Sequence, residues 1–174
     1  MPETTQEYIQ RILGYIEGED ALKVQGATVS KLARLIRGLT PKQLKWQPEP
    51  GKWSIAEILA HLADTEIVAS WRMRSVLGEN GTTIQAYDQN AWAAVFQYRK
   101  RDAKLSLALF RTLRENNRAM LKSIPRESWD NYGMHQERGK ETLSHLTRMF
   151  AGHDANHILQ VEQIVQQLKK KKRK

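Results

Sequence analysis

The chain has 174 residues, a length that suits one domain, and its 40% hydrophobic content is enough for one core. No apolar run approaches the length of a membrane span, and the absence of cysteine excludes disulfides and any cysteine-built zinc site. The net charge of +9 is local: removing the six positive charges of Lys169 to Lys174 leaves +3, an ordinary balance.

That basic run reads as a disordered, solvated tail (169–174) after a single domain (1–168). Contact with nucleic acid or an anionic membrane surface is the lesser reading. The opening residues, Met1-Pro2-Glu3-Thr4-Thr5-Gln6, lack the basic and apolar regions of a signal peptide. A cytoplasmic location is expected.

The periodicity is helical nearly throughout. Ile9, Ile12 and Ile16 mark a short first helix, which Gly18 interrupts. Asp20 caps a second helix carrying Leu22, Val29, Leu32, Ile36 and Leu39, and Thr40-Pro41 ends it. Residues 45–53 form a loop flanked by Trp46 and Trp53. Ser54-Ile55-Ala56-Glu57 is a capping-box pattern, and it opens a helix to about Leu77. Ile58, Leu62, Thr65 and Ala69 form that helix's inner stripe, which His61 borders.

Gly78 to Thr83 is a turn-rich connection, and a shorter helix starts around Tyr87 to Trp92. Asp102 caps a helix carrying Leu105, Leu109, Leu113 and Met120. Pro125 then begins a loop through Gly139. The last long helix starts near Glu141, with Leu143, Leu146, Phe150, His153, His157, Val161, Ile164 and Leu168 on its stripe. No strand alternation stands out. The expected fold is all-α: an up-and-down four-helix bundle with short additional helices.

His153 and His157 replace apolar residues on that stripe, four residues and one turn apart. Two imidazoles held so can bind one metal ion. With His61 from a packed helix, three neutral imidazoles converge and one coordination position stays open, as in a catalytic site. Three imidazoles suit zinc, nickel, copper or iron. Asp154, adjacent to His153, points about 100° away and reads as a second-layer acceptor or a polar flank. His145 lies about 12 Å before His153 at helical rise, too far to share an ion. His135 reads from its loop context as a surface histidine. Tyr87, Asp88 and Trp92 are candidates to line a pocket, with helix capping the alternative for Asp88 and core packing for Trp92. Arg72 and Arg74 read as solvated, with a substrate carboxylate contact as the minor alternative.

Four segments resemble the DinB-like superfamily of four-helix-bundle metalloproteins, within it the YfiT-like group. They are Lys52-Trp53-Ser54 through His61-Leu62-Ala63-Asp64, Ile84 through Tyr87-Asp88 to Trp92, His135-Gln136-Glu137-Arg138-Gly139 with Thr142-Leu143, and His153-Asp154-Ala155-Asn156-His157-Ile158-Leu159-Gln160. The resemblance spans about residues 20–168. It implies His61, His153 and His157 as ligands of one divalent metal ion, usually nickel or zinc, and pocket roles for Tyr87, Asp88, Trp92 and His135. It also implies a homodimer acting on a small molecule. From composition no membrane partner is expected, and nucleic acid is expected at most as a lesser role of the basic tail. The basic tail is not part of the family pattern.

The resemblance implies two chemistries and does not separate them. One is thiol S-transfer with an external low-molecular-weight thiol of the bacillithiol or mycothiol kind; the other is hydrolysis of a small electrophilic substrate. In either, Asp88 or His135 is the candidate base or substrate-orienting group. The rival expectation is a non-catalytic, stress-related metal-binding bundle that uses the same triad for stability.

Overall fold

The computed structural model describes residues 3–172. Its first helix, α1 (Thr5–Gly14), starts at a capping box in which Thr4 and Glu7 satisfy each other's backbone N–H groups. Ile12 is its buried residue, and Ile16 is buried just beyond its end. Gly18, at φ +75°, makes the turn to α2 (Ala21–Leu35), which Asp20 caps through the Lys23 N–H. Thr40-Pro41, expected only to end a helix, also starts one. Thr40 and Gln43 form a second capping box, with proline at the first position of the one-turn α3 (Pro41–Leu44).

The expected capping box at Ser54 and Glu57 opens α4 (Ile55–Gly78). Every residue from Ile55 to Glu66 is buried, so this half of α4 is enclosed on all sides rather than along one stripe. Asp88 caps α5 (Gln89–Val95), and Asp102 caps α6 (Ala103–Ser123). The last helix, α7, spans Leu143–Lys172. It therefore continues four residues into the segment expected to be a disordered tail. Lysine is a good helix former, and positive charge suits the C-terminal end of the helix dipole. Lys171 also sets its ammonium 4.3 Å from the Trp46 ring centroid. Arg173 and Lys174 lie outside the described residues.

Helices α2, α4, α6 and α7 form the four-helix bundle. Around it, α2 packs on α6 and α7, and α4 packs on the same two, so α2 faces α4 and α6 faces α7 across the diagonals. The connections between these diagonal partners are long enough to cross the bundle. The second one contributes two strands that the sequence did not reveal, and the link between α4 and α6 contributes a third. Strands β1 (Thr82–Ile84), β2 (Tyr132–His135) and β3 (Gly139–Thr142) form one small sheet in that order. β1 runs parallel to β2 with Ile84 opposite His135, and β2 and β3 make a hairpin. Strands of three and four residues are too short to display alternation.

On α6 the buried face is not the one expected from its leucines. Leu105 is 73% exposed and Leu109 is also exposed; the buried face carries Leu107, Phe110, Arg114, Asn117 and Leu121. Arg114 and Asn117, polar residues on the inner face, break the apolar pattern. They belong to a layer that divides the core. One apolar cluster holds Leu32, Ile58, Leu59, Phe110 and Val161, and the other holds Met73, Val76, Leu121, Leu143 and Leu146. Between them, buried Arg114 ion-pairs with both Glu66 and Asp154, Asn117 donates to Glu66, and Thr28 donates to Asp154. Asp154 is thus neither a polar flank nor an imidazole acceptor.

Candidate metal centre

The three histidines meet at this polar level. His61 comes from α4, and His153 and His157 from adjacent turns of α7. All three present Nε2. That of His153 is 2.9 Å from His61 Nε2 and 3.1 Å from His157 Nε2, and one ligand atom from each lies within 4.8 Å of the others. Imidazole nitrogens bound tetrahedrally to zinc at 2.0–2.1 Å stand about 3.3 Å apart, so the observed cluster needs only a slight spreading to hold an ion.

The electrostatics suit metal ligation. Burial, first of all, depresses the pKa of each imidazole. The neighbouring histidines add to the effect at His61 and His153, and His157 is lowered to about 4. All three are therefore neutral near pH 7, with lone pairs free. The Gln160 side-chain carbonyl lies 2.9 Å from His157 Nδ1 and can only accept there, so Nδ1 carries the proton and Nε2 the inward lone pair. Nδ1 of His61 and of His153 has no partner among the described residues. Trp53 covers the cluster, its ring centroid 4.9 Å from that of His61 and nearly parallel to His157.

Two adjoining cavities border the triad, and His153 lines both. One, of about 390 Å³, is lined by Thr65, Arg72, Tyr87, Arg138 and Phe150. The other, of about 560 Å³, is lined by Trp53, Lys52, Arg11, His157 and Gln160. Tyr8 and Gln89 border both. A hydroxyl path runs out of the triad into the first: Thr65 Oγ1 is 3.4 Å from His61 Nε2 and 3.1 Å from the Tyr87 hydroxyl.

Tyr87 and Asp88 therefore line the cavity beside the triad. Asp88 is exposed, and its Oδ1 accepts from the Asn90 and Ala91 N–H groups as the α5 cap. Trp92 packs on Tyr87 and Phe96, supporting Tyr87 without lining either cavity. His135 is not on the surface; it is 3% exposed on β2 and lines neither cavity. Its Nδ1 accepts from the Glu137 N–H, and burial, then Arg138, lowers its pKa to about 4. His145 is held beside Glu141, away from the triad. The residues sequence reasoning passed over are Tyr8, Trp53, Thr65 and Gln160 as parts of the site. For the last two the signal was available: Thr65 is four residues after His61, and Gln160 three after His157, each on its histidine's face.

A family profile described as the DinB superfamily matches residues 27–161. A Bacillus subtilis protein named "Putative metal-dependent hydrolase YfiT" is 26% identical over 137 residues, covering 78% of this chain and 76% of that one. An Oceanobacillus iheyensis protein with the same designation is 23% identical over 137 residues, covering 76% and 79%. Among solved structures, B. subtilis YfiT, described as a probable metal-dependent hydrolase with an unusual four-helix bundle topology, superposes with a TM-score of 0.79 at 23% identity, covering 85% of each chain. That likeness establishes the four-helix-bundle fold.

Proposed function

This chain belongs to the DinB superfamily, and on that premise we propose that it is a metal-dependent enzyme transferring an external low-molecular-weight thiol to a small electrophile. The observation that carries this reading is the pair of adjoining cavities that share His153 in their walls. A transfer reaction must seat two small molecules against one reactive centre. Hydrolysis would need only one such seat. The chain has no cysteine, so the thiol comes from outside.

His61, His153 and His157 would hold the ion, and a bound divalent cation would supply a deprotonated thiol or water near neutral pH. The protein's own groups do the rest. Gln160 fixes the His157 tautomer. Trp53 packs over the rings of His61 and His157. The hydroxyls of Thr65 and Tyr87 form a hydrogen-bonded route for a proton between the triad and the first cavity. Nickel and zinc are the ions that the family resemblance favours; three imidazoles alone suit copper and iron as well.

The test begins with elemental analysis of protein purified without a metal-affinity tag, beside a His153→Ala/His157→Ala variant. About one equivalent of metal, lost in the variant, is expected. Thiol conjugation to a panel of electrophiles should then fall to background in His61→Ala. Equal rates in His61→Ala would sink the metal's role. Ester turnover without thiol dependence would make the protein a hydrolase. Metal binding with no turnover on either panel would leave a structural bundle.

A further inference from the structure

Two arginines are buried among the described residues, and they are treated differently. Arg114 sits between Glu66 and Asp154. Burial alone opposes its charge, but the two carboxylates outweigh it and raise its pKa above the ordinary arginine value. Arg72 is 6% exposed and has no carboxylate partner among the described residues. Its one hydrogen bond is Nη2 to the Gln85 carbonyl, 2.6 Å, and its guanidinium lies over the Tyr87 ring at 5.7 Å. Burial, then Arg138, act against its charge, and they outweigh Tyr87, Glu141 and Glu137, which favour it from a distance. A buried cation left without a counter-ion is costly, and such a group in a cavity wall marks a site that an anion completes.

Its position fits that role. Arg72 follows His61 and Thr65 by eleven and seven residues, which is the same face of α4, and helix side chains lean toward the N-terminus, here toward the triad. It lines the 390 Å³ cavity together with Tyr87, Met149, Phe150 and His153. The acidic groups around that cavity do not neutralise it. Glu3 is paired with Arg11, Glu141 with Arg138, Asp88 caps α5, and Glu137 is exposed.

We propose that Arg72 is the anchor for a substrate carboxylate, so that the electrophile bound in this cavity is a carboxylic acid with an apolar body lying between the guanidinium and His153. This deepens the reading of the site as a two-substrate enzyme and rests on it for the word substrate. The planar fork of arginine pairs with a carboxylate through two parallel N–H groups. The apolar body meets Met149 and Phe150, and the far end reaches the triad.

The test uses 3-phenylpropionate and its neutral amide as probes, titrated by calorimetry into the full chain, both chelator-treated and zinc-loaded. Wild type should bind the acid at least tenfold more tightly than the amide in both forms. Arg72→Gln should lose at least tenfold toward the acid and little toward the amide, with Arg72→Lys in between. Should Arg72→Gln fail to fold by circular dichroism, the Arg72 Nε–H resonance of the 15N-labelled wild type still reports: the acid should shift it and the amide should not. Equal binding of acid and amide, or an unmoved resonance, overturns the proposal. So does acid binding that appears only with zinc and survives Arg72→Gln, because the ion is then the anchor. Arg72-dependent acid binding without thiol turnover would leave this inference standing and remove the transferase reading; turnover without it does the reverse.

Discussion

The Gln160 side-chain carbonyl stands 2.9 Å from Nδ1 of His157, one turn back along α7, while Nδ1 of His61 and of His153 lacks any such partner among the described residues. One ligand of the triad thus has its outward nitrogen oriented by a second residue, and the outward nitrogens of the other two have no such partner among the described residues. Partners of this kind typically contribute about 10–100-fold to metal affinity. Gln160→Leu should therefore weaken metal binding by at least about tenfold, measured by competition with a chelating dye, while the helical circular dichroism stays unchanged. Unaltered affinity would mean that packing against Trp53 suffices to orient His157.

His135 gives a pH prediction that is separate from the triad. Its pKa is about 4 in the folded protein against 6.5 in the open chain. Below pH 6.5 the unfolded chain takes up a proton that the folded one resists until about pH 4, so this group's effect is to reduce stability as pH falls through that window. Above about pH 7.5 it contributes no pH dependence. His135→Gln should remove that component. Urea unfolding of both proteins at pH 7.5 and 4.5 should show the wild type losing more stability on acidification than the variant. Parallel losses would place the acid sensitivity elsewhere.

At Gly152 the backbone of α1 lies close against α7. A Cβ there would penetrate the backbone carbonyl of Ile12, and backbone cannot swing aside as a side-chain tip can. α1 supplies Tyr8 and Arg11 to the walls beside the triad, so the close approach also positions the site. Gly152→Ala should cost about 1–3 kcal/mol and loosen α1, seen as faster proteolysis ahead of Gly14. A stable variant with unaltered cleavage would mean that α1 shifts as a unit at little cost.

What the sequence made legible were the features written in local chemistry. The caps at Asp20, Ser54 and Asp102 each follow from a side-chain oxygen beside free backbone N–H groups, and all three form. The triad followed from two histidines at i, i+4 within an apolar stripe and a third on another helix, and the three rings do converge. What was hidden depends on partners distant in the chain. Nothing near Asp154 announces Arg114, forty residues away, so an aspartate read as a flank is a buried ion-pair partner. The same pairing turns Arg114 and Asn117 inward and leaves Leu105 facing solvent. His135 is buried because a parallel β1–β2 pairing, unmarked in either segment, draws its loop against the bundle.

The layer around Arg114 leads to a last prediction. Arg114 donates to Glu66 at 3.0 and 2.7 Å, pairs with Asp154 as well, and all three side chains are nearly inaccessible. Removing one member of such a network leaves charges buried without partners, at a cost of about 3–5 kcal/mol. Arg114→Ala should show that loss in urea unfolding. Replacing all three by apolar residues, as in Arg114→Met/Glu66→Leu/Asp154→Leu, removes the desolvation cost together with the pairing and should recover most of it. The layer separates the two apolar clusters at the level of the triad, next to His153 in the chain. The triple variant should therefore bind metal more weakly than the wild type even where its stability is restored. If stability and metal affinity return together, packing alone holds His153, and the ion pairs serve only to satisfy one another.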